Sequence, residues 1–245
     1  MRLLVSTFTE KAAKELLTRI SNRLLERGIT INPADMAIGT LHSIFLGLLE
    51  EFRPFTRIRR NYTVLDQFDQ QYFFYQNSTE FRSIDGLEDL LHPGQKVSGW
   101  WFAEALMTRL NKLSEEGIDA EALVASAVPE FQILGAAYKK YLELLDSNNA
   151  LDFSTIQVEA LKLFSHEKVR HELENRFDYL MIDEYQDTNT IQEKIILKLG
   201  SGTKNVCVCG DDDQSLYRFR GASIRNILEF AERFPNFIVA HVAEE

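Results

Sequence analysis

Two short apolar runs late in the chain each end in a group of acidic residues. The first run covers residues 177–182 and leads into Asp183 and Glu184, and the second covers residues 206–209 and leads into three aspartates at 211–213. Apolar runs of this length, bounded by polar turns, predict strands that are buried on both faces. The pattern therefore places carboxylates directly after two buried strands.

The segment between the two runs has the spacing of a helix. Its apolar side chains recur every three or four residues: Ile191, Ile195, Ile196 and Leu199. A strand, helix, strand unit of this kind makes the two strands parallel neighbours in one sheet. In open α/β sheets the ligand crevice lies beyond the carboxyl ends of the strands, where these acidic residues fall.

The residue types at those ends suit phosphate chemistry. A carboxylate at a strand end can hold Mg²⁺ while water and substrate phosphates take the other metal positions, and Asp183 suits that role. Glu184 beside it suits orientation or deprotonation of an attacking water. Gln214 offers a neutral amide to a phosphate oxygen or a water. A single apolar run that ends in Asp-Glu is more often an ordinary strand entering a solvated loop, but two in succession favour a site.

The start of the chain predicts two more strand and helix pairs. A strand at residues 3–5 precedes a helix for which Thr7 and Glu10 form a capping box, and a strand at 36–39 precedes a helix that begins near His42. A lone histidine in that position is more often a capping or core residue than a ligand.

The character of the chain changes between residues 53 and 149. A short strand at 62–65 is followed by helical stretches at roughly 66–77, 97–113, 119–127 and 130–147, which predict an inserted helical subdomain. Its arginines at 53, 57, 59 and 60 are either a solvated face or a contact to duplex DNA. The aromatic run Trp100, Trp101 and Phe102 is expected in the core rather than as a stacking platform.

The last part of the chain returns to the alternating pattern. Asp152 is a suitable N-cap for a helix whose apolar face includes Ile156 and Phe164, and a further helix and strand are predicted at 223–234 and 237–242. Cys207 and Cys209 lie two apart in a predicted strand, so we expect them to pack in the core without forming a disulfide.

Composition limits the classes of function. The net charge of −10 argues against a broad basic DNA-binding face, although a local groove with stacking aromatics needs no global positive charge. We expect any nucleic-acid affinity to be modest and salt-sensitive. The N-terminal residues lack the apolar core of a signal peptide, and no apolar run approaches the ~18 residues of a membrane span. A cytoplasmic protein without a membrane partner is therefore expected.

Two segments carry a family resemblance. The runs LMIDEYQDTN, at 180–189, and VCGDDDQSLYRFRGA, at 208–222, resemble the Walker B motif and the following coupling motif of superfamily 1 DNA helicases of the UvrD/Rep/PcrA type. By that resemblance Asp183 would bind the Mg²⁺ that accompanies ATP, Glu184 would activate the hydrolytic water, and Gln214 would sense the γ-phosphate. Single-stranded DNA would meet the coupling-motif residues Tyr217, Phe219 and Arg220. Phe219 stands where the family usually has Trp.

Two earlier segments are similar to DNA-contact motifs of the same family. STFTEKAA, at 6–13, would place Phe8 against a DNA base with Thr9 beside it, and TLHS, at 40–43, would bring Thr40 and His42 to the DNA backbone. Hydroxyls, imidazole and helix N-terminal amides are all suited to phosphate contacts.

The resemblance implies a fold and a division of the chain. The expected fold is α/β, a RecA-like parallel sheet of the P-loop NTPase type that is incomplete and flanked by helices, with an inserted, mostly helical subdomain. Residues 1–52 and 150–245 would form the two parts of the ATP-binding domain, and residues 53–149 would form the insertion. Family members carry an insertion at the same point.

The resemblance also implies an activity. The parent would be an ATP-dependent, 3′ to 5′ DNA translocase that acts in repair, replication or recombination, with ATP and Mg²⁺ as cofactors. Its partners would be single-stranded DNA, junctions of single and double strands, and a second motor domain or the rest of the helicase chain.

One expected element is missing from these 245 residues. No glycine-rich loop closes with Gly-Lys-Ser/Thr, and GSGTK at 200–204 follows a helix and reads as a turn. In the family this loop would precede the strand that begins at Met1, and the second motor domain would follow Glu245. We therefore expect this chain not to hydrolyse ATP unaided.

Two alternatives stay open on the residues alone. Asp183, Glu184 and Asp211 would serve a metal-dependent nuclease or phosphatase that needs no phosphate loop. The second alternative is a non-catalytic module that binds single-stranded DNA or a partner protein. Nuclease activity without nucleotide would support the first alternative, and DNA binding without ATP hydrolysis in any reconstituted form would support the second.

Overall fold

Four parallel strands form the main sheet of the protein. A computed structural model describes residues 2–30, 36–203, 205–211 and 229–230, and the statements below concern those residues. The strands lie in the order β2-β1-β5-β6, which correspond to Met36–Gly39, Leu3–Ser6, Tyr179–Ile182 and Val206–Val208. The connections from β1 to β2 and from β5 to β6 leave the central pair in opposite directions, so the strand order reverses between β1 and β5. That reversal is the expected position of a ligand crevice.

The helices that accompany this sheet bury their apolar stripes against it. They are α1 (Glu10–Glu26), α2 (Leu41–Glu51), α9 (Phe153–Leu163), α10 (Glu167–Glu174) and α11 (Thr190–Gly200). Leu4 of β1 and Leu180 and Ile182 of β5 share one core with apolar residues of α2, α9, α10 and α11. Helix α1 packs against β2. The observed architecture is thus the expected parallel sheet flanked by helices.

The segment between α2 and α9 forms a second core of its own. It contains the strand β3 (Thr63–Leu65) and the helices α3 (Gln67–Gln76), α4 (Ser78–Arg82), α5 (Leu87–Leu91), α6 (Gly99–Glu115), α7 (Ala120–Val124) and α8 (Pro129–Ser147). Its buried residues run from Leu65 to Ala150. At its exit, the strand β4 (Ala150–Asp152) pairs in parallel with β3. The prediction of a helical insertion is consistent with this separate core, and the exact domain boundaries stay a prediction.

Several expectations from the sequence are wrong. Helix α1 begins after Thr9, whose Oγ1 accepts a hydrogen bond from the backbone N–H of Ala12 at 3.2 Å, so Thr9 and not Thr7 is the N-cap. Thr7 is buried and its hydroxyl donates to the carbonyl of Thr9 instead. Among the inserted aromatics, Phe102 is buried as expected, whereas Trp101 is 64% exposed.

The strands with acidic ends are not buried on both faces. Leu180 and Ile182 of β5 are buried, but Tyr179 and Met181 on the opposite face are 45% and 44% exposed. Cys207 pairs beside Met181, and both Cys207 and Cys209 are exposed free thiols, which corrects the expected core packing. The physical reason is that Leu180 and Ile182 share a core with residues of α2, α9 and α11, whereas Met181 and Cys207 lie outside that core.

The remaining helices and strands match the sequence predictions in part. The four predicted helical stretches of the insertion are confirmed to within a few residues, while α4, α5, α10 and β4 were not predicted. Most of the predicted helix at 223–234 and all of the strand at 237–242 lie outside the described residues. None of the helices in the described ranges is long and apolar enough to cross a lipid bilayer.

Candidate functional site

A cleft of about 880 Å³ lies where the carboxyl ends of β1, β2 and β5 face the helical insertion. On the sheet side, the cleft is lined by the loop after β1, the start of α2 and the loop after β5. On the other side it is lined by α3 and α6. All six predicted site residues within the described ranges line it: Phe8, Thr9, Thr40, His42, Asp183 and Glu184. Segments that are far apart in sequence therefore share one cleft.

Asp183 continues the β5 ladder by one residue. Its backbone N–H donates to the carbonyl of Ser6 at 2.9 Å, which fixes it beside the end of β1, and its side chain is exposed. A carboxylate held in this way at a strand end is free to meet a cation or a phosphate-bound water from the cleft side.

Glu184 has an unusual backbone conformation. Its φ of 53° and ψ of 44° lie in the left-handed region, which is uncommon for a residue other than glycine and costs free energy. The turn leads into a short 3₁₀ helix at Tyr185–Asp187. The amide of Gln186 donates to the Glu184 carboxylate at 2.6 Å and so limits its rotation. The second acidic residue of the pair is thus held in place.

Asp187 adds a third carboxylate next to this pair. Burial, reinforced by the nearby negative charge of Glu184, raises the pKa of its carboxyl. One of its oxygens, Oδ1, is buried and has no hydrogen-bond partner among the described residues. The sequence analysis did not single out this residue, because its proximity to the cleft depends on the turn at Glu184.

The loops after β1 and β2 are joined to each other. Thr40 is the N-cap of α2, where its Oγ1 accepts from the N–H of Ser43, and its hydroxyl donates to Oε1 of Glu10 at 2.8 Å. Thr9 caps α1 in the same way, and Phe8 before it is 39% exposed. The cleft thus presents an accessible aromatic ring beside the N-termini of two helices.

His42 lies in the first turn of α2 and is half-buried. Burial lowers the pKa of its imidazole to about 4, although the negative charge of Asp152 acts in the opposite direction, so the ring is neutral near pH 7. Its Nε2 lies 2.9 Å from the amide nitrogen of Gln157, and its ring meets Phe153 edge-on at 5.4 Å. His42 is therefore packed against α9 while it also lines the cleft.

Phe153 and Gln157 are site residues that the sequence analysis missed. Both belong to α9 and line the cleft, and Phe153 is 48% exposed. Neither residue carries a local sequence signal that marks it as part of a site. Their position follows from the packing of α9 against α2, which brings them beside His42.

The opposite wall is built from polar side chains of the insertion. Gln70 of α3 and Asn111 of α6 exchange hydrogen bonds at 2.8 and 3.1 Å. Burial raises the pKa of Glu115 to about 7, opposed by the charge of Lys112 and assisted by Asp152 and Glu116. Lys112 is the only lysine or arginine among the described lining residues, and it is paired with Glu116 at 2.7 Å. This wall offers amides more than positive charge.

Asp152 connects the two walls. Its carboxylate is 1% exposed and accepts hydrogen bonds from Gln70 at 2.8 Å, from the hydroxyl of Tyr141, and from the N–H of Thr155 at 2.7 Å. Gln70 and Tyr141 belong to the insertion, and Thr155 belongs to α9. The predicted N-cap of α9 is therefore confirmed, and the same residue also holds the insertion against the sheet domain.

The carboxylates of the cleft bear on whether it can hold a metal ion. Among the described residues, no group of three or more His, Cys, Asp or Glu side chains is arranged to hold a metal. Mg²⁺ in nucleotide sites is typically held by one or two carboxylates together with phosphates and water, and the exposed carboxylate of Asp183 fits that chemistry.

Four predicted site residues cannot be placed in this cleft. Gln214, Tyr217, Phe219 and Arg220 lie outside the described residues, so their roles stay predictions. Asp211, just before them, donates its N–H to the Gln186 side chain at 3.1 Å. The coupling-motif segment therefore begins next to the turn that carries Glu184.

Comparisons with known proteins agree with the resemblance of these motifs. Residues 1–235 match the family described as UvrD/REP helicase N-terminal domain. The ATP-dependent DNA helicase PcrA of Staphylococcus epidermidis is 34% identical over 237 residues, which is 95% of this chain and 30% of that relative. The ATP-dependent DNA helicase PcrA of Staphylococcus aureus is 33% identical over 236 residues, again 95% of this chain and 30% of the relative.

Proposed function

We propose, because this chain belongs to the UvrD/REP helicase N-terminal domain family, that it forms part of the first motor domain of an ATP-dependent DNA helicase. The chain spans 30% of the length of the relatives that it matches, so the activity belongs to a longer protein in this proposal. The cleft between the sheet and the insertion binds single-stranded DNA, and the acidic end of β5 serves the nucleotide.

One observation carries this proposal. The acidic pair Asp183 and Glu184 and the candidate DNA contacts Phe8, Thr40 and His42 line the same cleft, at the point where the strand order of the sheet reverses. A motor must link nucleotide hydrolysis to DNA movement, and a shared cleft lets a shift at one site reach the other directly.

Asp183 and Glu184 have different roles in the proposal. Asp183, exposed at the strand end, holds Mg²⁺ that arrives with ATP, and that ion supplies positive charge to the phosphates. Glu184, held by Gln186, orients and deprotonates the attacking water as general base. Gln214 contacts the γ-phosphate. The hydrolysis itself depends on a phosphate-binding loop that these 245 residues do not contain.

The DNA strand is held by aromatic and hydrogen-bonding groups. Phe8 stacks on a base, since every base offers a π face regardless of sequence, and Thr9, Thr40 and the N-terminus of α2 contact the backbone. Tyr217, Phe219 and Arg220 extend these contacts. Because the described lining has a single, ion-paired lysine, we expect modest affinity.

The longer protein completes the motor. A second motor domain closes the nucleotide site, and the enzyme moves 3′ to 5′ on single strands and acts at junctions of single and double strands during repair, replication or recombination. These properties follow the family and belong to the proposal.

The test combines DNA binding and ATP hydrolysis. A fluorescein-labelled single-stranded oligonucleotide is titrated with the 245-residue chain at low and moderate salt, and phosphate release is recorded in the same samples. Salt-sensitive binding without ATP turnover, together with DNA-stimulated turnover by the full-length protein, is the expected result. Absence of single-strand binding by both proteins would refute the assignment of the cleft.

A further inference from the structure

A buried glutamine lies between the histidine of the cleft and the loop that carries the acidic pair. Gln157 is 2% exposed and sits on the second turn of α9. Its side-chain nitrogen Nε2 lies 2.9 Å from Nε2 of His42 and 3.0 Å from the carbonyl of Phe153, and its oxygen Oε1 lies 2.7 Å from the side-chain nitrogen of Asn189. One amide thus contacts groups on α9, α2 and the N-terminus of α11.

The orientation of this amide is fixed by its neighbours. The carbonyl of Phe153 can only accept a hydrogen bond, so the atom of Gln157 that faces it must be the nitrogen. Asn189 is the N-cap of α11, and its own oxygen is engaged by the N–H of Gln192 at 2.9 Å, so Asn189 turns its nitrogen toward Gln157. That nitrogen needs an acceptor, which is Oε1 of Gln157. Both contacts give the same orientation.

This orientation determines which nitrogen of His42 carries the proton. The amide nitrogen of Gln157 is a donor, so Nε2 of His42 must accept and cannot be protonated. Burial keeps the ring neutral near pH 7, and a neutral imidazole carries its single proton on the other nitrogen. The proton therefore lies on Nδ1. Nδ1 makes no hydrogen bond to any described residue. It is also not one of the fully buried side-chain nitrogen or oxygen atoms that lack a partner.

We propose that Gln157 is a positioning residue that fixes His42 as its Nδ1–H tautomer, so that the ring donates a hydrogen bond from Nδ1 to a phosphate oxygen of a strand in the cleft. The identity of the ligand rests on the function proposed above, whereas the tautomer does not. The donor is neutral and preset, so no proton is taken up or released when the phosphate arrives. The bond to Asn189 holds the same amide to the first turn of α11, just after the acidic loop.

The tautomer is measured directly in the 245-residue chain. Long-range ¹H–¹⁵N correlation spectra distinguish the protonated from the unprotonated ring nitrogen of each of the five histidines, and the signal lost in His42→Gln identifies His42. The expected spectrum at pH 7 shows a protonated Nδ1 and an unprotonated Nε2. An Nε2–H tautomer in the wild-type chain would overturn the proposal without any reference to DNA.

Two substitutions test the part played by Gln157. Gln157→Glu keeps the shape of the side chain but leaves it only acceptors, so the Nε2 of His42 becomes protonated. Gln157→Leu removes the constraint, and we expect a mixture of tautomers and single-strand affinity about three- to tenfold weaker, the effect of one lost hydrogen bond. Gln71→Leu is the control, since Gln71 bonds the carbonyl of Trp100 away from the cleft. An unchanged His42 spectrum in both Gln157 variants would refute the positioning role.

DNA binding separates this inference from the proposed function. Addition of an unlabelled oligonucleotide should shift the Nδ1 signal of His42 in the wild-type chain and leave the other histidine signals of the described residues in place. A chain with the expected tautomer that binds no single strand even at low salt would refute the phosphate ligand and the proposed function together, while the tautomer assignment would stand. Normal binding with an unmoved His42 signal would refute only the hydrogen bond to phosphate.

Discussion

Replacement of Asp152 should loosen the junction between the sheet domain and the insertion. In Asp152→Ala the hydroxyl of Tyr141 loses its acceptor in a fully buried site, which costs about 1–3 kcal/mol, and α9 loses its N-cap, which costs about 1 kcal/mol. Gln70 keeps its bonds to Asn111 and Tyr141 and so limits the damage. We expect a total loss of about 2–4 kcal/mol in the free energy of unfolding.

Two probes report on different parts of the molecule in this experiment. Both tryptophans, Trp100 and Trp101, lie on α6, so their fluorescence follows the insertion, whereas far-ultraviolet circular dichroism follows all helices. Because Asp152 joins the two cores, urea unfolding followed by either probe should shift together. A chain of this size loses about 2–4 °C in Tm per kcal/mol, so the Tm should fall by about 10 °C.

A matched substitution gives the comparison. Asp66 is also an N-cap, of α3, but its side chain is exposed. Among the described residues it accepts a hydrogen bond from the N–H of Asp69 alone, so Asp66→Ala should cost about 1 kcal/mol. Asp152→Asn, which keeps the capping oxygen, should lie between the two. If Asp152→Ala were no more destabilising than Asp66→Ala, the role of Asp152 as the link between the two walls would be refuted.

Three further results are expected. In the full-length protein, Glu184→Gln should abolish phosphate release while nucleotide binding, measured by fluorescence of a labelled ATP analogue, is largely kept; near-normal turnover would contradict the general-base role. The pKa of His42 is about 4 in the folded chain and about 6.5 in the unfolded chain. The contribution of neutral His42 to the free energy of unfolding should therefore be fully present above pH 6.5, and about 3 kcal/mol of it should be lost as the pH falls to 4. Urea titrations of His42→Gln should not show this loss. Phe8→Ala should weaken single-strand binding by about 1–3 kcal/mol in anisotropy titrations. Phe131→Ala, which removes an exposed ring on α8, should not; equal losses would argue against stacking on Phe8.

The parallel sheet and its acidic end were predictable because each depends on neighbouring residues. Two apolar runs with a helix between them require parallel strands, and the structure pairs Leu180 with Val206 in that sense. The family motifs also predicted which loops carry Asp183 and Thr40. These features can be predicted from the sequence because they depend on residues that lie close together along one strand or one helical turn.

The features that were missed depend on contacts between distant segments. The sequence favoured a capping box at Thr7, but the N-cap of α1 lies two residues later, at Thr9. Thr7 instead belongs to the end of the sheet, where its N–H donates to the carbonyl of Gly39. Exposure of Cys207 depends on which face of the sheet the helices cover, and hydrophobicity alone does not reveal it. The link from Asn189 through Gln157 to His42 joins residues of three helices, so no single stretch of sequence predicts it.

The pairing of β3 with β4 has a consequence for the order of folding. Thr63 pairs with Ala150, and the whole helical insertion lies between them, so this small sheet closes a very long loop for only three residue pairs. Loop closure of that length costs conformational entropy that so few pairs cannot offset early in folding. The insertion has its own core from Leu65 to Ala150, which brings the two strand ends together once it has condensed. The insertion should therefore collapse first, and β3 should pair with β4 afterwards. Nascent chains that end before Ala150 would then contain a folded insertion without the β3–β4 pairing.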